Sequence, residues 1–458
     1  MSTAVDIMEN ALEETLDKTY MFSTLEDALA FIHDAAYRGG KNGLYNMSRL
    51  MGLLGEPHKR LRCLHVAGTN GKGSVCAFLQ AALRVAGYRT GLYTSPYLER
   101  FNERVRIDGA PISDNDLVRY ANKVAGAVYA LRGQGVYPTE FEITTAIGFL
   151  YLADNGVDVA VVEVGLGGRF DSTNVITPLC ACITSIGLDH TKTLGDTVEK
   201  IAFEKAGIAK AGVPMVLYPD APEGVTRVVA EVCGSIGTKL IRLCADDVDV
   251  DDIDVIGGGP LGLSGRHQAR NAAVARAMLK ASGLGGIDDA CIAEGFARTR
   301  WPGRLERVDY THDGRAVSFL LDGAHNPHAS AVLSDYIVEK YGEKAVVAIV
   351  GMLREKDAAG SAAALANAFA MVCAVAPDSS RALSAVDLAN IYEAAGVAAH
   401  ACASLREAVD IAAAHAGGAP IVVTGSLYLV GEARALLNAP ECTLLGDKAG
   451  DEGDGGDG

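Results

Sequence analysis

The fold is decided by the stretch His65-Val-Ala-Gly-Thr-Asn-Gly-Lys-Gly-Ser74. The apolar run 61–67 predicts a buried strand, and the periodic apolar run 75–86 predicts a helix. Glycines at 68, 71 and 73 separate the two elements. This order of strand, glycine-rich loop and helix is typical of a phosphate-binding loop. Glycine lets backbone N–H groups close on phosphate oxygens, and the helix N-terminus adds partial positive charge.

The loop is shorter than the usual Gly-x4-Gly-Lys-Ser/Thr motif, which would need a glycine at Val66 and a hydroxyl at Gly73. Its lysine still supplies a full charge for the outer phosphates, and its serine supplies a hydroxyl for phosphate or magnesium. A glycine-rich turn with a surface lysine is the alternative interpretation. Because the loop lies between the right two elements, we favour a nucleotide site formed by Asn70, Gly71, Lys72, Gly73 and Ser74.

Composition limits the function classes. The 458 residues are too many for one compact core, so two or three domains are expected. The formal charge of −16 argues against broad nucleic-acid binding. No apolar run reaches the roughly 18 residues of a membrane helix, and the N-terminus has early acids and no hydrophobic signal core, so a cytoplasmic location is expected. The ten scattered cysteines predict reduced, structural thiols rather than a zinc site.

Strand and helix patterns alternate along the chain and restart after Trp301-Pro-Gly-Arg304, which resembles a linker. The predicted class is α/β, with an N-terminal phosphate-loop ATPase domain (1–303) that has a mostly parallel sheet. A smaller C-terminal Rossmann-like α/β domain (304–445) follows it. Residues 446–458 form an acidic, glycine-rich tail that is expected to be disordered.

Several polar side chains follow predicted strands, at the sheet edge where open α/β sheets bind ligands. Glu163 ends the apolar run 157–162 and precedes a second glycine-rich loop, a position from which an acid can hold magnesium near a phosphate loop. Ser95 and His190 also follow strands, although a histidine at a strand end is more often a capping or core residue. Lys205 lies on a predicted helix at 197–206, where a solvated helix face is the alternative.

Distinctive motifs occur in one order, and their combination is far more specific than any one of them. Together they resemble folylpolyglutamate synthase/dihydrofolate synthase, a branch of the Mur ligase superfamily, over about residues 20 to 440. They are Gly-Thr-Asn-Gly-Lys-Gly-Ser (68–74), Thr-Ser-Pro (94–96), Glu-Val-Gly-Leu-Gly-Gly-Arg (163–169), Asp-Ser-Thr-Asn (171–174), Leu-Asp-His (188–190), Glu-Lys-Ala-Gly (204–207), Pro-Gly-Arg (302–304), Asp-Gly-Ala-His-Asn-Pro (322–327) and Thr-Gly-Ser-Leu-Tyr (424–428).

The resemblance implies an ATP-dependent amide ligase. A folate-type carboxylate attacks the γ-phosphate of ATP and gives an acyl phosphate, which the amino group of L-glutamate then attacks. The acid substrate is dihydropteroate, a tetrahydrofolate polyglutamate, or both. Carboxylates are poor electrophiles, so activation by ATP suits this chemistry, and phosphoryl transfer between anions needs positive charge and positioning.

The resemblance also implies a role for each matching residue. Lys72, His190 and Lys205 match catalytic positions, and Lys205 matches a lysine that the family carbamylates. Ser95 and Glu163 match ligands of one magnesium ion, and His190 a ligand of a second. Asn271, Arg304 and Asp322 match further nucleotide contacts, in addition to those of the phosphate loop. The substrate side is implied to comprise Thr139, Glu140, Phe141, Glu142, Phe170, Asp171, Ser172 and, for glutamate, His325.

Two residues depart from the family pattern. Tyr97 stands where many relatives have histidine, and Phe170 replaces a more usual leucine, so the pterin preference stays open. A Mur-superfamily ligase acting on another acid, or a non-catalytic nucleotide-binding regulator, are the alternatives. The intact set of Lys72, Glu163, His190 and Lys205 argues against a regulator. A monomer is expected, with no membrane or nucleic-acid partner.

Overall fold

The structure, a computed structural model, describes residues 22–38, 43–244, 248 and 260–437. The predicted tail at 446–458 lies outside these residues. Two sheets organise the described part of the chain, one of eight strands and one of six. Both are mostly parallel with helices packed against them, so the predicted α/β class is confirmed.

The N-terminal sheet has the strand order β4-β3-β2-β5-β1-β6-β7-β8. Six neighbouring strands of this sheet, β2, β5, β1, β6, β7 and β8, pair in parallel. Strands β3 and β4 add an antiparallel edge next to β2. The central strands β1, β5 and β6 are buried along their whole length, which matches their mostly apolar sequences. The strands are β1 (Cys63–Ala67), β2 (Thr90–Tyr93), β3 (Val105–Ile107), β4 (Ala110–Pro111), β5 (Val159–Glu163), β6 (Cys180–Ile183), β7 (Met215–Leu217) and β8 (Leu240–Arg242).

Helix caps in this half of the chain follow the sequence closely. Thr24, Ser113 and Thr139 each accept a hydrogen bond from the backbone N–H three residues later, which is the geometry of a side-chain cap. These hydrogen bonds fix where the three helices begin. The helices span Leu25–Arg38, Tyr45–Leu53, Lys72–Val85, Asp114–Arg132, Glu140–Asp154, Thr191–Leu194, Val198–Ala206, Glu223–Ile236, Arg266–Ala281 and Asp289–Arg298.

The C-terminal sheet has the order β13-β12-β11-β14-β10-β9, parallel except for β9, which pairs antiparallel with β10. Its first strand begins after the predicted linker, and the boundary at 303/304 itself stays a prediction. The strands are β9 (Glu306–His312), β10 (Arg315–Leu321), β11 (Val346–Val350), β12 (Phe369–Ala374), β13 (Ala398–Ala401) and β14 (Ile421–Thr424). The helices are Pro327–Tyr341, Ala358–Leu365, Ala385–Ala394, Leu405–His415 and Leu427–Leu436.

Two predicted element bounds were wrong near the phosphate loop. The strand begins at Cys63 rather than 61, and the helix begins at Lys72 rather than 75. Gly73 lies in the first turn of the helix and does not break it. The glycine is explained by packing, because a methyl group there would meet the Trp301 indole at 2.8 Å. The hairpin strand β9 was missed because its residues are largely polar and half-exposed. Lys72 and Ser74 therefore belong to the helix, not to a free loop.

Two general expectations were checked within the described ranges. No helix there has the length and apolar content needed to cross a membrane. The nine cysteines in the same ranges are free thiols, and seven of them are buried. The burial of these thiols agrees with the structural role that the sequence predicts for them.

Candidate active site

The phosphate loop joins β1 to the Lys72–Val85 helix and is bound to the end of β6. Thr184 donates its hydroxyl to the Asn70 carbonyl oxygen at 2.7 Å, and the Thr69 N–H donates to the Ser185 carbonyl at 2.8 Å. Gly68 (φ +151°) must be glycine, because a methyl group there would lie 1.7 Å from the Thr184 hydroxyl. These contacts hold the loop backbone in one conformation next to the helix N-terminus. The partial positive charge of that N-terminus suits the binding of an anion.

Lys72 begins the helix and is half-buried, with Nζ donating to the Thr69 carbonyl oxygen at 3.1 Å. Its ammonium thus lies over the loop, where phosphate oxygens would be bound. Ser74 is buried in the first turn of the same helix. Both side chains line one cleft between the two sheets.

Lys205 lies beneath the loop, on the Val198–Ala206 helix. Its side chain is buried rather than solvated, and Nζ donates to the Gly68 carbonyl oxygen at 2.7 Å. Burial, with a further contribution from the positive charge of Lys72, lowers the pKa of Lys205 to about 7. The alternative of a solvated helix face was wrong, and a large fraction of this amine is uncharged at neutral pH.

Glu163 ends β5 at the floor of the cleft. The Ser95 N–H donates to its Oε2 at 3.2 Å, so the segment after β2 is bound directly to this acid. Burial raises the pKa of Glu163, and the positive charge of Lys72 lowers it by a smaller amount. A buried carboxylate of this kind gains from a nearby cation.

His190 lies at the rim of the cleft in a left-handed backbone conformation (φ +49°), directly after Asp189. Partial burial and the ammonium of Lys356 lower the pKa of His190 to about 4. Its imidazole is therefore neutral at pH 7 and keeps a lone pair for a metal ion. His190 Nε2 lies 3.3 Å from Lys356 Nζ, which comes from the C-terminal half of the chain.

Asp189 connects the two halves of the chain. Its Oδ1 accepts from Lys356 Nζ at 2.7 Å, and its Oδ2 accepts from Asn326 at 3.2 Å and lies 3.6 Å from His325 Nε2. Although burial opposes ionisation, the hydrogen bonds from His325 and Lys356 hold the pKa of Asp189 far below its usual range. The side chains of the Lys356–Asp189 ion pair are only 9% and 10% exposed, respectively.

The phosphate loop also contacts the C-terminal half through Asn70. Its side chain exchanges two hydrogen bonds with Asn326, at 3.2 and 3.0 Å, and Asn326 itself caps the Pro327–Tyr341 helix. His328 Nδ1 lies 3.0 Å from the same amide nitrogen. The Asn70 side chain therefore joins the two sheets, in addition to any part its backbone has in phosphate binding.

The remaining candidate nucleotide contacts line the same cleft. Asn271 is buried against Gly71 and donates to Gln268 at 2.9 Å. Asp322 accepts backbone N–H groups from Leu305 and Ala324, at 3.0 and 2.9 Å, so both of its oxygens shape the C-terminal wall. The third candidate contact is Arg304, which lies beside that wall at the junction of the two halves.

The predicted substrate-side residues divide into structural and open positions. Thr139 and Glu142 bind each other's backbone in a capping box, and Asp171 accepts from the N–H groups of Leu166 and Thr173, with Ser172 buried next to it. Of the other four, His325 lines the cleft from the C-terminal half, whereas Glu140, Phe141 and Phe170 are not among the residues that line it. Phe170 is 63% exposed, Phe141 covers Gly165, Glu140 pairs with His33 at 3.1 Å, and His325 donates from Nδ1 to the Gly323 carbonyl.

Sequence reasoning missed Asp189, Asn326, His328 and Lys356 as members of the cleft. Asp189 and Asn326 lay inside quoted motifs, but their roles depend on contacts between distant segments. Lys356 could have been found from the sequence, because it lies in the segment after strand β11. Glu163 was recognised in a similar way, from its place at the end of an apolar strand.

The donor set tests whether a divalent cation fits. Among the described residues no three His, Cys, Asp or Glu side chains form a metal-binding cluster. The Ser95 N–H bond is the one hydrogen bond to the Glu163 side chain in these ranges, which leaves carboxylate capacity facing the cleft. This suits magnesium, which commonly takes one or two protein oxygens and draws its other ligands from phosphate and water.

Comparisons with known proteins agree with this architecture. Residues 303–427 match the family described as Mur ligase, glutamate ligase domain. The chain is 36% identical over 444 residues to the dihydrofolate synthase/folylpolyglutamate synthase of Bacillus subtilis, covering 91% of this chain and 100% of that protein.

Solved structures give the same result. Escherichia coli FolC in complex with DHPP and ADP superimposes with a TM-score of 0.81 at 30% identity, covering 92% of this chain and 99% of that chain. A bifunctional folylpolyglutamate synthase/dihydrofolate synthase with Mn, AMPPNP and L-glutamate bound gives a TM-score of 0.77 at 31% identity, covering 92% and 99%. With its motifs, its two-sheet fold and these relatives, the chain belongs to the folylpolyglutamate synthase/dihydrofolate synthase family.

Proposed function

We propose that this protein is an ATP-dependent ligase that joins L-glutamate to the carboxylate of a folate-type acid. The observation that carries the proposal is the cleft itself. A phosphate loop with Lys72, a buried acid at Glu163, a neutral His190 and a buried, partly uncharged Lys205 all face one space between two α/β sheets. The names and bound molecules of the relatives support ATP, a folate-type acid and glutamate as its substrates.

The chain's own groups suit both bond-forming steps. An oxygen of the acid attacks the γ-phosphorus, the bond to the β-phosphate oxygen breaks, and ADP leaves with the charge that Lys72 and the helix N-terminus offset. The glutamate amine then attacks the acyl carbon, the amine proton is released, and inorganic phosphate leaves. The cleft supplies positioning and charge, with no covalent enzyme intermediate.

Magnesium, when bound, would offset the negative charge that develops as the phosphoryl group passes between two anions. We assign Ser95 and Glu163 to hold one ion and His190 to contribute to a second. Glu163 is fixed for this by the Ser95 backbone, and His190 is neutral above about pH 4.

Lys205 is proposed to react as its free amine with carbon dioxide, forming a carbamate and releasing one proton. The low pKa of the buried amine supports this, because only the uncharged form is nucleophilic. The product carries a negative charge beneath the phosphate loop, where it can help to hold a cation that the lysine itself would repel.

The amino-acid substrate carries two carboxylates and needs cations on its side of the cleft. Lys356 meets this requirement, and His325 lies beside it, since both project from the C-terminal half toward Asp189. The acid substrate is assigned to the opposite side, between Phe141 and Phe170, with Glu140 nearby. We also propose that the protein works as a monomer in the cytoplasm.

The test is ATP-dependent incorporation of labelled L-glutamate, run in parallel with dihydropteroate and with tetrahydrofolate in the presence of magnesium and bicarbonate. Turnover with both acids would assign a bifunctional enzyme, and turnover with one would assign a single activity. Lys72→Ala is the matched control, because it should remain folded and lose turnover. Silence with both acids in a folded protein that binds ATP would overturn the folate assignment and favour another acid on the same ligase machinery.

A further inference from the structure

The last helix that the structure describes, Leu427–Leu436, packs onto residues 95–104, which form the Ser95 segment. Gly431 of this helix touches the backbone of Leu98 so closely that a methyl group would lie 2.1 Å from the Leu98 carbonyl oxygen. Gly303, in the junction between the two halves, packs against Val430 and Leu98 at the same place. The C-terminal helix, the junction and the Ser95 segment therefore form one tight contact.

An ion triad built around the buried Arg434 lies at the centre of this contact. The Arg434 side chain is 3% exposed and donates from Nε to Glu99 and from Nη1 to Glu306. Glu99 belongs to the Ser95 segment, whereas Arg434 and Glu306 belong to the C-terminal half. The other oxygen of Glu306 accepts the N–H of Gly303 at 2.8 Å, so the triad also holds the junction.

The Ser95 segment is stiff enough to transmit this contact. The Glu103 carboxylate accepts three consecutive backbone N–H groups, from Leu98 at 3.0 Å, Glu99 at 3.0 Å and Arg100 at 2.8 Å. At its other end the Ser95 N–H is bound to Glu163. A shift of Glu99 cannot be absorbed by a loose loop, and it would reach Ser95, four residues away.

We propose that Glu99, Arg434 and Glu306 are positioning residues for the ligase reaction. The triad fixes the C-terminal half against the Ser95 segment, and so sets the distance between Ser95 with Glu163 on one wall and Asp322 with His325 on the other. This inference rests on the proposed function, in which these walls bind the phosphates, the cation and the amino acid.

The chemistry of the triad agrees with a role in geometry rather than stability. Taking the Arg434 charge out of water is costly, and its partner Glu99 stays partly solvated, so this ion pair adds little to the free energy of unfolding. Arginine presents a rigid planar fork that binds two carboxylates in fixed directions, which a lysine could not do. A small misplacement of reacting groups can cost about a hundredfold in rate.

The first variant is Glu99→Gln, because Glu99 is the most exposed member, at 33%, and its loss leaves the Arg434–Glu306 pair intact. Arg100→Gln is the matched control, since it removes a neighbouring ion pair, with Asp114, that stays within the N-terminal half. Arg434→Lys keeps the charge and removes the fork. Three quantities are measured for each: kcat, the midpoint temperature of unfolding, and Mn²⁺ affinity by electron paramagnetic resonance with a non-hydrolysable ATP analogue.

We expect Glu99→Gln and Arg434→Lys to lower kcat and Mn²⁺ affinity about tenfold each, about 1.4 kcal/mol, with the unfolding temperature nearly unchanged. Arg100→Gln should match the wild type. A lower unfolding temperature with unchanged kcat and Mn²⁺ affinity would overturn the proposal. The Mn²⁺ titration needs no folate, so a wild type without folate activity would contradict the proposed function while the triad is still decided by metal affinity.

Discussion

Lys205 shows how one buried amine can set the pH dependence of the enzyme. The proposed carbamate would form only from the uncharged amine, whose fraction rises as pH increases through about 7. We predict that turnover at limiting carbon dioxide rises between pH 6 and 8. Lys205→Ala should lose at least about a hundredfold in kcat, and small carboxylic acids should restore part of it by filling the space of the carbamate.

The control for Lys205 is Lys210→Ala. Lys210 is a partly buried lysine nearby, and its Nζ donates to the Asn174 carbonyl oxygen at 2.9 Å, away from the phosphate loop. With ¹³C-labelled carbon dioxide, the wild type and Lys210→Ala should show a carbamate resonance that Lys205→Ala lacks. Full activity of Lys205→Ala without any added acid would remove the carbamate from the mechanism.

His65 couples folding to pH without taking part in the reaction. It is fully buried, its Nε2 lies 2.9 Å from the Thr173 hydroxyl, and burial, followed by the charge of Lys210, lowers its pKa to about 3. Below pH 6.5, the ordinary pKa of histidine, His65 binds a proton in the unfolded chain but stays unprotonated in the folded chain. Stability is therefore retained above 6.5 and lost as pH falls, by about 1.4 kcal/mol per pH unit from this group.

The prediction for His65 is a change of slope. Between pH 6.5 and 4.5, His65→Gln should lose about 2 to 3 kcal/mol less of its free energy of unfolding than the wild type, measured by urea denaturation. His415→Gln, on an exposed helix end, serves as the reference. Equal slopes for His65→Gln and the wild type would show that another group controls acid unfolding.

Among the elements, the β1–loop–helix unit depends most on glycine. Gly68→Ala would place a methyl group 1.7 Å from the Thr184 hydroxyl and 3.1 Å from its backbone nitrogen, forcing β1 and β6 apart. We predict a loss of about 3 kcal/mol in stability together with loss of ADP binding, measured by denaturation and calorimetry. Gly87→Ala, at φ +86° with open space around it, should cost only about 1 kcal/mol and bind ADP normally. Normal ADP binding by Gly68→Ala would contradict the loop geometry.

The elements were also where sequence reasoning worked best. Caps at Thr24, Ser113 and Thr139 and the apolar run before Glu163 are local signals, and the structure follows them. The polar hairpin strand β9 was missed because half-exposed edge strands lack an apolar pattern. The helix start at Lys72 was misplaced because Gly73 is required by Trp301, which is distant in sequence.

At the scale of the whole molecule, the two halves meet through a few polar pairs that no local pattern announces. The Asp189–Lys356 ion pair and the Asn70–Asn326 amide pair join residues more than 160 positions apart. Motif order predicted which segments line the cleft, and folding alone decides which side chains meet there. The cleft was therefore predicted in outline, with Arg304, Asp322 and His325 on its C-terminal wall, whereas the contacts that join the two halves were not predicted.

Lys356 gives the prediction at this scale. Lys356→Met removes a cation from the amino-acid side and leaves Asp189 with its partners His325 and Asn326. We expect the KM for L-glutamate to rise about tenfold or more, with the KM for ATP nearly unchanged, in steady-state kinetics. Lys356→Arg should recover part of the loss, and Lys340→Met, on an exposed helix face, should behave as the wild type. An unchanged KM for glutamate would exclude Lys356 from amino-acid binding.

The packing of Trp301 on Gly73 has a practical consequence. This residue is the sole tryptophan of the chain, and its indole lies against the first turn of the helix that begins at Lys72, next to the junction of the two halves. Indole emission is sensitive to local polarity and motion. The protein therefore contains one intrinsic fluorophore beside its phosphate loop, and the arrival of a nucleotide can be followed in real time, on unlabelled protein, by stopped-flow spectroscopy.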